Sequence, residues 1–209
     1  MTVPKEKIIH WLESIATIIE QNKDYLTELD AAIGDADHGI NMNRGFQKVI
    51  TQLPTVADQD IGTILKTVSL NLISSIGGAS GPLYGTFFLK ASVAVSGKQT
   101  LTETDMSALL TAGLDGIIQR GKANLGDKTM LDALSPAVVA FNQAIESGSN
   151  MVAALEQAVL AAENGMKETI PLVAKKGRAS YLGERSVGHQ DPGATSVYLI
   201  LKTLWETLS

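Results

Sequence analysis

The chain has 209 residues, 44% of them hydrophobic, which suffices for a real core, and its formal net charge of −5 argues against nucleic acid as the main partner, since phosphate backbones are met by basic faces. The absence of cysteine excludes a disulfide framework, a thiolate nucleophile and a zinc finger. No Pro/Ser/Gly-rich or charged linker divides the chain, so residues 1–209 are expected to form one domain. Lys5, Glu6, Lys7 and Glu13 interrupt any signal-like apolar run, and the longest uncharged stretch, between Lys66 and Lys90, is broken by Gly77-Gly-Ala-Ser-Gly-Pro82. No membrane span is expected, and the cytoplasm is the expected compartment.

Pro4 suits the first turn of a helix, and Ile8, Trp11, Leu12, Ile15, Ile18 and Ile19 then recur on one apolar face, with an end near Asn22. A short helical piece around Tyr25, Leu26 and Leu29 leads to Asp30-Ala-Ala-Ile-Gly-Asp35-Ala-Asp37-His38-Gly39-Ile40-Asn41. In an extended loop, Asp35 and Asp37 leave the chain on the same side; Gly34 and Gly39 permit tight turns, and Asp30 can fold back onto the same point. One Asp would read as a turn or a helix cap. Three carboxylates with a His and an Asn have no cheap structural use. Hard oxygen donors, without Cys and with one His, favour Mg²⁺ over Zn²⁺, and Mg²⁺ keeps places for substrate phosphates.

The next helix runs from about Asn41 to Pro54. Asp58 or Asp60 can cap another, which buries Ile61, Ile64, Leu65, Val68 and Leu72 and stops at Gly77. In Gly77–Pro82, small residues let backbone N–H groups approach a phosphate, Ser80 adds a hydroxyl, and Pro82 starts a helix whose positive end would face the anion; alone, the same residues read as a helix–helix turn. Leu83, Phe87, Phe88 and Ala91 carry this helix to Gly97, and Thr104 or Asp105 can cap the one that ends at Gly121. A second loop, Gly121 to Asp132, contains Lys128, which reaches a phosphate or stands as a solvated lysine. Helices follow through Leu134–Ile145 and from Asn150 through Met166, with Pro171 kinking the latter or marking its last turns. Residues 178–193 lack a helical period and read as a lid or binding loop, where Arg178, Arg185, His189 and Asp191 are the mix a phosphate site needs. The last helix holds Val197, Tyr198, Leu201 and Leu204. No segment alternates with period two, so the fold class is all-α, about eight helices and no sheet.

Gly-Asp-Ala-Asp-His-Gly at 34–39, Gly-Gly-Ala-Ser-Gly-Pro at 77–82, Gly-Asp-Lys-Thr-Met at 126–130, and Gly-Arg-Ala-Ser-Tyr-Leu-Gly-Glu-Arg with Asp-Pro-Gly-Ala closely resemble the nucleotide-binding L subunits of bacterial dihydroxyacetone kinases, over essentially the entire chain. Ala36 stands where the family often has Gly. The resemblance implies a barrel of eight antiparallel amphipathic helices with tightly bound ADP and two Mg²⁺ at one end. It implies that Asp30, Asp35 and Asp37 hold the metals, and that His38, Gly39, Ile40, Asn41, Ala79 and Ser80 line the phosphates and nearby nucleotide. Gly121 and Met130 would pack on adenine or ribose; Arg178, Asp191, Pro192 and Gly193 would close the site, with Arg178 and His38 serving catalysis. The implied partners are a phosphohistidine-bearing M subunit, which charges the ADP, and a K subunit carrying dihydroxyacetone. The alternatives are the nucleotide half of an ATP-dependent glycerone kinase, which usually fuses both domains in a longer chain, and a nucleotide-loaded regulator of a transcription factor.

Overall fold

The computed structural model describes residues 2–209, and nine α-helices account for most of them. In chain order these are α1 (Lys5–Gln21), α2 (Lys23–Ile33), α3 (His38–Gln52), α4 (Ile61–Ser75), α5 (Ser80–Ala94), α6 (Glu103–Gly121), α7 (Leu131–Glu146), α8 (Met151–Glu168) and α9 (Pro192–Leu208). Short 3-10 segments cover Leu53–Thr55 and Arg178–Ser186. The expectation of no sheet needs one small correction: Val3–Pro4 (β1) pairs antiparallel with Thr100–Leu101 (β2), clipping the start of α1 to the α5–α6 connection. Two residues per strand are too few to show as alternation.

Helix starts follow local hydrogen-bond chemistry. Asp60, one of two sequence candidates, caps α4 by accepting from the backbone N–H of Thr63 at 3.2 Å, and it also takes the Gly97 N–H at 2.8 Å. For α6 the cap is Thr102, not Thr104 or Asp105: the Asp105 amide donates to the Thr102 hydroxyl while the Asp105 carboxylate accepts the Thr102 amide, a reciprocal capping box. Helix α3 begins at His38, earlier than Asn41, for a reason that belongs to the site below. Pro171 falls beyond the end of α8 rather than kinking it.

Eight helices form a closed circuit of neighbours. Helix α1 packs on α3, α3 on α4, and so on through α8 and α9, which returns to α1; α2 lies outside this circuit against α3 and α9. Along the middle, Trp11, Phe46, Phe88 and Phe141 are fully buried, with Trp11 tilted onto Phe88 at 6.1 Å between ring centroids and donating its indole N–H to the Ile200 carbonyl at 3.1 Å. The first residues of α3, α5, α7 and α9 (His38, Ser80, Leu131 and Pro192) and the last residues of α2 and α6 (Ile33 and Gly121) all line one cavity, so alternate helices run in opposite directions and the connections on that side gather at one end.

Helices α7 and α8 pack closely. Pro136 lacks the N–H that would bond the Asp132 carbonyl, and Gly165 of α8 packs directly onto that carbonyl, where an added Cβ would overlap its oxygen. Gly165→Ala should therefore destabilise the protein by about 1–3 kcal/mol through forced separation of the two helices, as a lower urea midpoint at unchanged slope.

Candidate active site

The acidic loop is built by Asp30, at the buried end of α2. Its Oδ2 accepts the backbone N–H of Asp37 at 2.8 Å and of His38 at 3.1 Å, which caps α3 from another helix and starts it at His38. Gly34 is required at the turn because the Asp30 carboxyl folds against it, leaving no space for a Cβ. Each of Asp30, Asp35 and Asp37 then offers one oxygen, all within 4.8 Å of one another. This is a hard, all-oxygen donor set that fits a cation such as Mg²⁺, with Oδ1 of Asp30 still free of the hydrogen bonds that occupy Oδ2.

Beside the carboxylates lies a cavity of about 600 Å³. Gly77, Gly78, Ala79 and Ser80 form one wall, and α5 starts there without a side-chain cap, so its first amides are open to an anion. With α3, α7 and α9, four helices present N-termini to the same cavity. Pro82 sits inside the first turn of α5 rather than at its start. The far wall is apolar, from Leu83, Ile117, Gly121, Ala123, Met130 and Leu131, and suits a flat ring system.

His38 lies at the bottom. Burial pushes its imidazole down to about 4 against the pull of Asp30 and Asp37, so it is neutral at pH 7. Its Nδ1 lies 3.1 Å from Ser80 Oγ and its Nε2 2.9 Å from Ser196 Oγ.

The segment expected to be a lid or binding loop forms the 3-10 run that begins at Arg178, whose Nε donates to Asp35 Oδ2 at 2.6 Å. Lys128 lines the cavity but is not a solvated lysine. It is 1% exposed, and its ammonium donates to the carbonyls of Thr169 at 2.8 Å, Ile170 at 3.4 Å, Leu172 at 3.1 Å and His189 at 2.5 Å. Burial pushes its pKa down, with nearby Asp191 opposing. The cage joins the two ends of the lid segment and ties both to the Gly126–Met130 loop. Asp191 caps α9 by accepting the Ala194 N–H at 2.7 Å; burial raises its carboxyl to about 7, the Ala194 amide and Lys128 opposing and Asp132 and Asp30 adding to the rise.

Of the residues expected from sequence, Asp30, Asp35, Asp37, His38, Ala79, Ser80, Gly121, Met130, Arg178, Asp191, Pro192 and Gly193 all line this cavity. Gly39, Ile40 and Asn41 are not on its wall. Gly39 is pressed against the Lys23 carbonyl and Thr27 of α2, Ile40 is 50% exposed, and the Asn41 side chain accepts from Arg44 Nη2 at 2.6 Å behind Gly77. Arg185 and His189 have exposed side chains off the wall. Sequence reasoning missed Tyr84, Arg120 and Lys176, which do line it, and Ser196, which sits behind His38. Lys176 had a signal in its position two residues before Arg178; Ser196 had none.

Four positive helix ends, three carboxylates and an apolar slot define a helical domain built for a phosphorylated, ring-bearing ligand carried with a hard cation. Residues 32–206 match the DAK2 domain, and the chain belongs to this family. It is 50% identical over 204 residues to the ADP-binding subunit of the PEP-dependent dihydroxyacetone kinase of Escherichia coli (strain K12), covering 98% of this chain and 97% of that protein. It is 43% identical to the ADP-binding subunit of the PTS-dependent dihydroxyacetone kinase of Lactococcus lactis, covering 96% of each. The crystal structure of the dihydroxyacetone kinase from C. freundii in complex with AMP-PNP and Mg²⁺ superposes with a TM-score of 0.71 at 26% identity, over 94% of this chain and 33% of that longer one. Among the described residues, no helix is long and apolar enough to cross a membrane.

Two stability predictions follow from the loops. Ala36 has φ of 61°, a left-handed conformation that disfavours a side chain and that Gly adopts freely. Ala36→Gly should raise stability by about 0.5–1 kcal/mol, read as a higher melting temperature, because relief of strain exceeds the added freedom of the unfolded chain. Lys128→Met leaves the caged carbonyls without their donor and should cost about 3 kcal/mol, with faster amide exchange concentrated in residues 169–191.

Proposed function

We propose that this chain is the ADP-binding subunit of a phosphotransferase-system-dependent dihydroxyacetone kinase, with Mg-ADP held as a resident cofactor. The observation that carries the reading is the single cavity on which the carboxylate triad, four helix N-termini and an apolar slot converge. When bound, Mg-ADP supplies a phosphoryl acceptor and donor, charged by a phosphohistidine on an M subunit and discharged onto dihydroxyacetone held by a K subunit. Two Mg²⁺ ions would be held by Asp30, Asp35 and Asp37.

The chain's own residues have definable tasks. The carboxylates hold the cations and so offset the charge of the diphosphate. The amides of Ala79 to Gly81 would take phosphate oxygens, while Gly121 would leave room for the base and Met130 would pack on it. Arg178, paired with Asp35 in this structure, would supply a guanidinium to meet charge developing on the phosphoryl group. His38, neutral and held from both sides, orients rather than exchanges protons. No protein nucleophile is needed, because positioning and charge neutralisation supply the catalysis.

Removing one metal ligand exposes the diphosphate to the remaining carboxylates. Asp35→Asn should lose most Mg-dependent ADP binding in calorimetric titration, by tenfold or more, and unchanged binding removes Asp35 from the metal shell. The cofactor reading is tested by loading the protein with radiolabelled ADP, adding phosphorylated M subunit, K subunit and dihydroxyacetone, and following label and product together. Many turnovers with label still protein-bound are expected; label escaping about once per product formed is the signature of an ATP-dependent glycerone kinase half instead.

A further inference from the structure

On the far side of the His38 ring, α5 and α9 contribute two buried hydroxyls. Tyr84 Oη lies 2.6 Å from Ser196 Oγ, and Ser196 Oγ lies 2.9 Å from His38 Nε2. On the cavity side, Ser80 Oγ lies 3.1 Å from Nδ1. The chain Tyr84–Ser196–His38–Ser80 crosses three helices, and its proton order decides what Ser80 shows to the site.

Two orders satisfy the ring. In one, Ser196 donates to Nε2, Nδ1–H donates to Ser80, and the Ser80 hydroxyl points its proton into the cavity. In the other, Nε2–H donates to Ser196, Nδ1 accepts from Ser80, and Ser80 turns lone pairs outward. Ser196 settles the choice. Its Oγ also lies 3.1 Å from the Pro192 carbonyl and 3.0 Å from the Gly193 carbonyl on its own helix, the back-bonding arrangement in which the hydroxyl proton goes to the backbone. Spending that proton on His38 would leave two short oxygen–oxygen contacts with no hydrogen between them. Tyr84 Oη is only 3.4 Å from the Gly193 carbonyl, so at 2.6 Å its proton goes to Ser196. Ser196 then accepts from Tyr84 and His38 and donates once, which completes its capacity.

We infer that Ser196, whose hydroxyl proton is committed to its own helix backbone, is a positioning residue that locks His38 as the Nε2–H tautomer and thereby turns Ser80 Oγ into an acceptor facing the cation held by Asp30, Asp35 and Asp37. Coordination by Ser80 rests on the metal reading above; the tautomer does not.

The primary test uses the unaltered protein. Long-range ¹H–¹⁵N correlation of the ¹⁵N-labelled chain distinguishes pyrrole-type from pyridine-type imidazole nitrogens, and His38 is assigned by comparison with His10→Gln and His189→Gln. The expected signal at neutral pH is Nε2 pyrrole-type and Nδ1 pyridine-type, with and without Mg-ADP. A pyrrole-type Nδ1 overturns the inference. Ser196→Ala deprives Nε2–H of its acceptor and should convert the ring to Nδ1–H, whereas Tyr84→Phe should leave the tautomer in place. Binding of Mn²⁺ in the absence of nucleotide tests the second half: Ser80→Ala should weaken it about tenfold. If wild type binds Mn²⁺ and Ser80→Ala binds it equally well, the acceptor role is wrong; if wild type binds none, the metal reading itself fails and the tautomer stands on its own spectrum.

Discussion

Three carboxylate oxygens held within 4.8 Å of one another are the constraint on which the rest of this structure depends. Two unit charges about 4 Å apart repel by about 4 kcal/mol even at an effective dielectric near 20, so such a cluster persists only where positive charge or strong donors offset it. The fold supplies both. Asp30 spends one oxygen on the first amides of α3, Asp35 holds the guanidinium of Arg178, and α5, α7 and α9 direct their positive ends at the same space. A circuit of helices running in alternate directions is what permits four N-termini to gather at one end, and this placement makes an acidic chain a receptor for a phosphorylated ligand.

Rigidity and mobility are divided between two basic residues. Lys128 is buried and held by backbone carbonyls from both ends of the lid segment, so its loss is costly and it acts as a fixed post. Arg178 is well exposed, and a surface pair of this kind with Asp35 contributes at most about 1 kcal/mol. The lid is therefore anchored at its base and only lightly latched at its tip.

Much of this was readable in the chain. Helix faces such as Ile8–Ile19 and Leu109–Ile118 declare themselves by period, and the carboxylate loop declares itself because three Asp residues between 30 and 37 serve no ordinary turn. What escaped was set by distance in sequence. The start of α3 depends on a carboxylate seven residues earlier, the cage of Lys128 on carbonyls more than forty residues later, and the hydroxyl chain on Ser196, 158 residues from His38. Thr102 was overlooked in favour of Thr104 and Asp105 because either neighbour is a good cap by type, and only the geometry reveals that Asp105 is the reciprocal partner.

The difference between Asp30 and Asp35 follows from how each is held. Asp30 is 9% exposed and bound by two backbone amides, so it belongs to the loop whether or not a cation is present. Asp35 is joined to the protein chiefly through a weak pair with an exposed guanidinium. On the function proposed above, a cation taken up by Asp35 would compete with that pair and release Arg178 beside the same cavity. One carboxylate is thus fixed by the fold, while the other, on that proposal, would link cation binding to release of a positive charge.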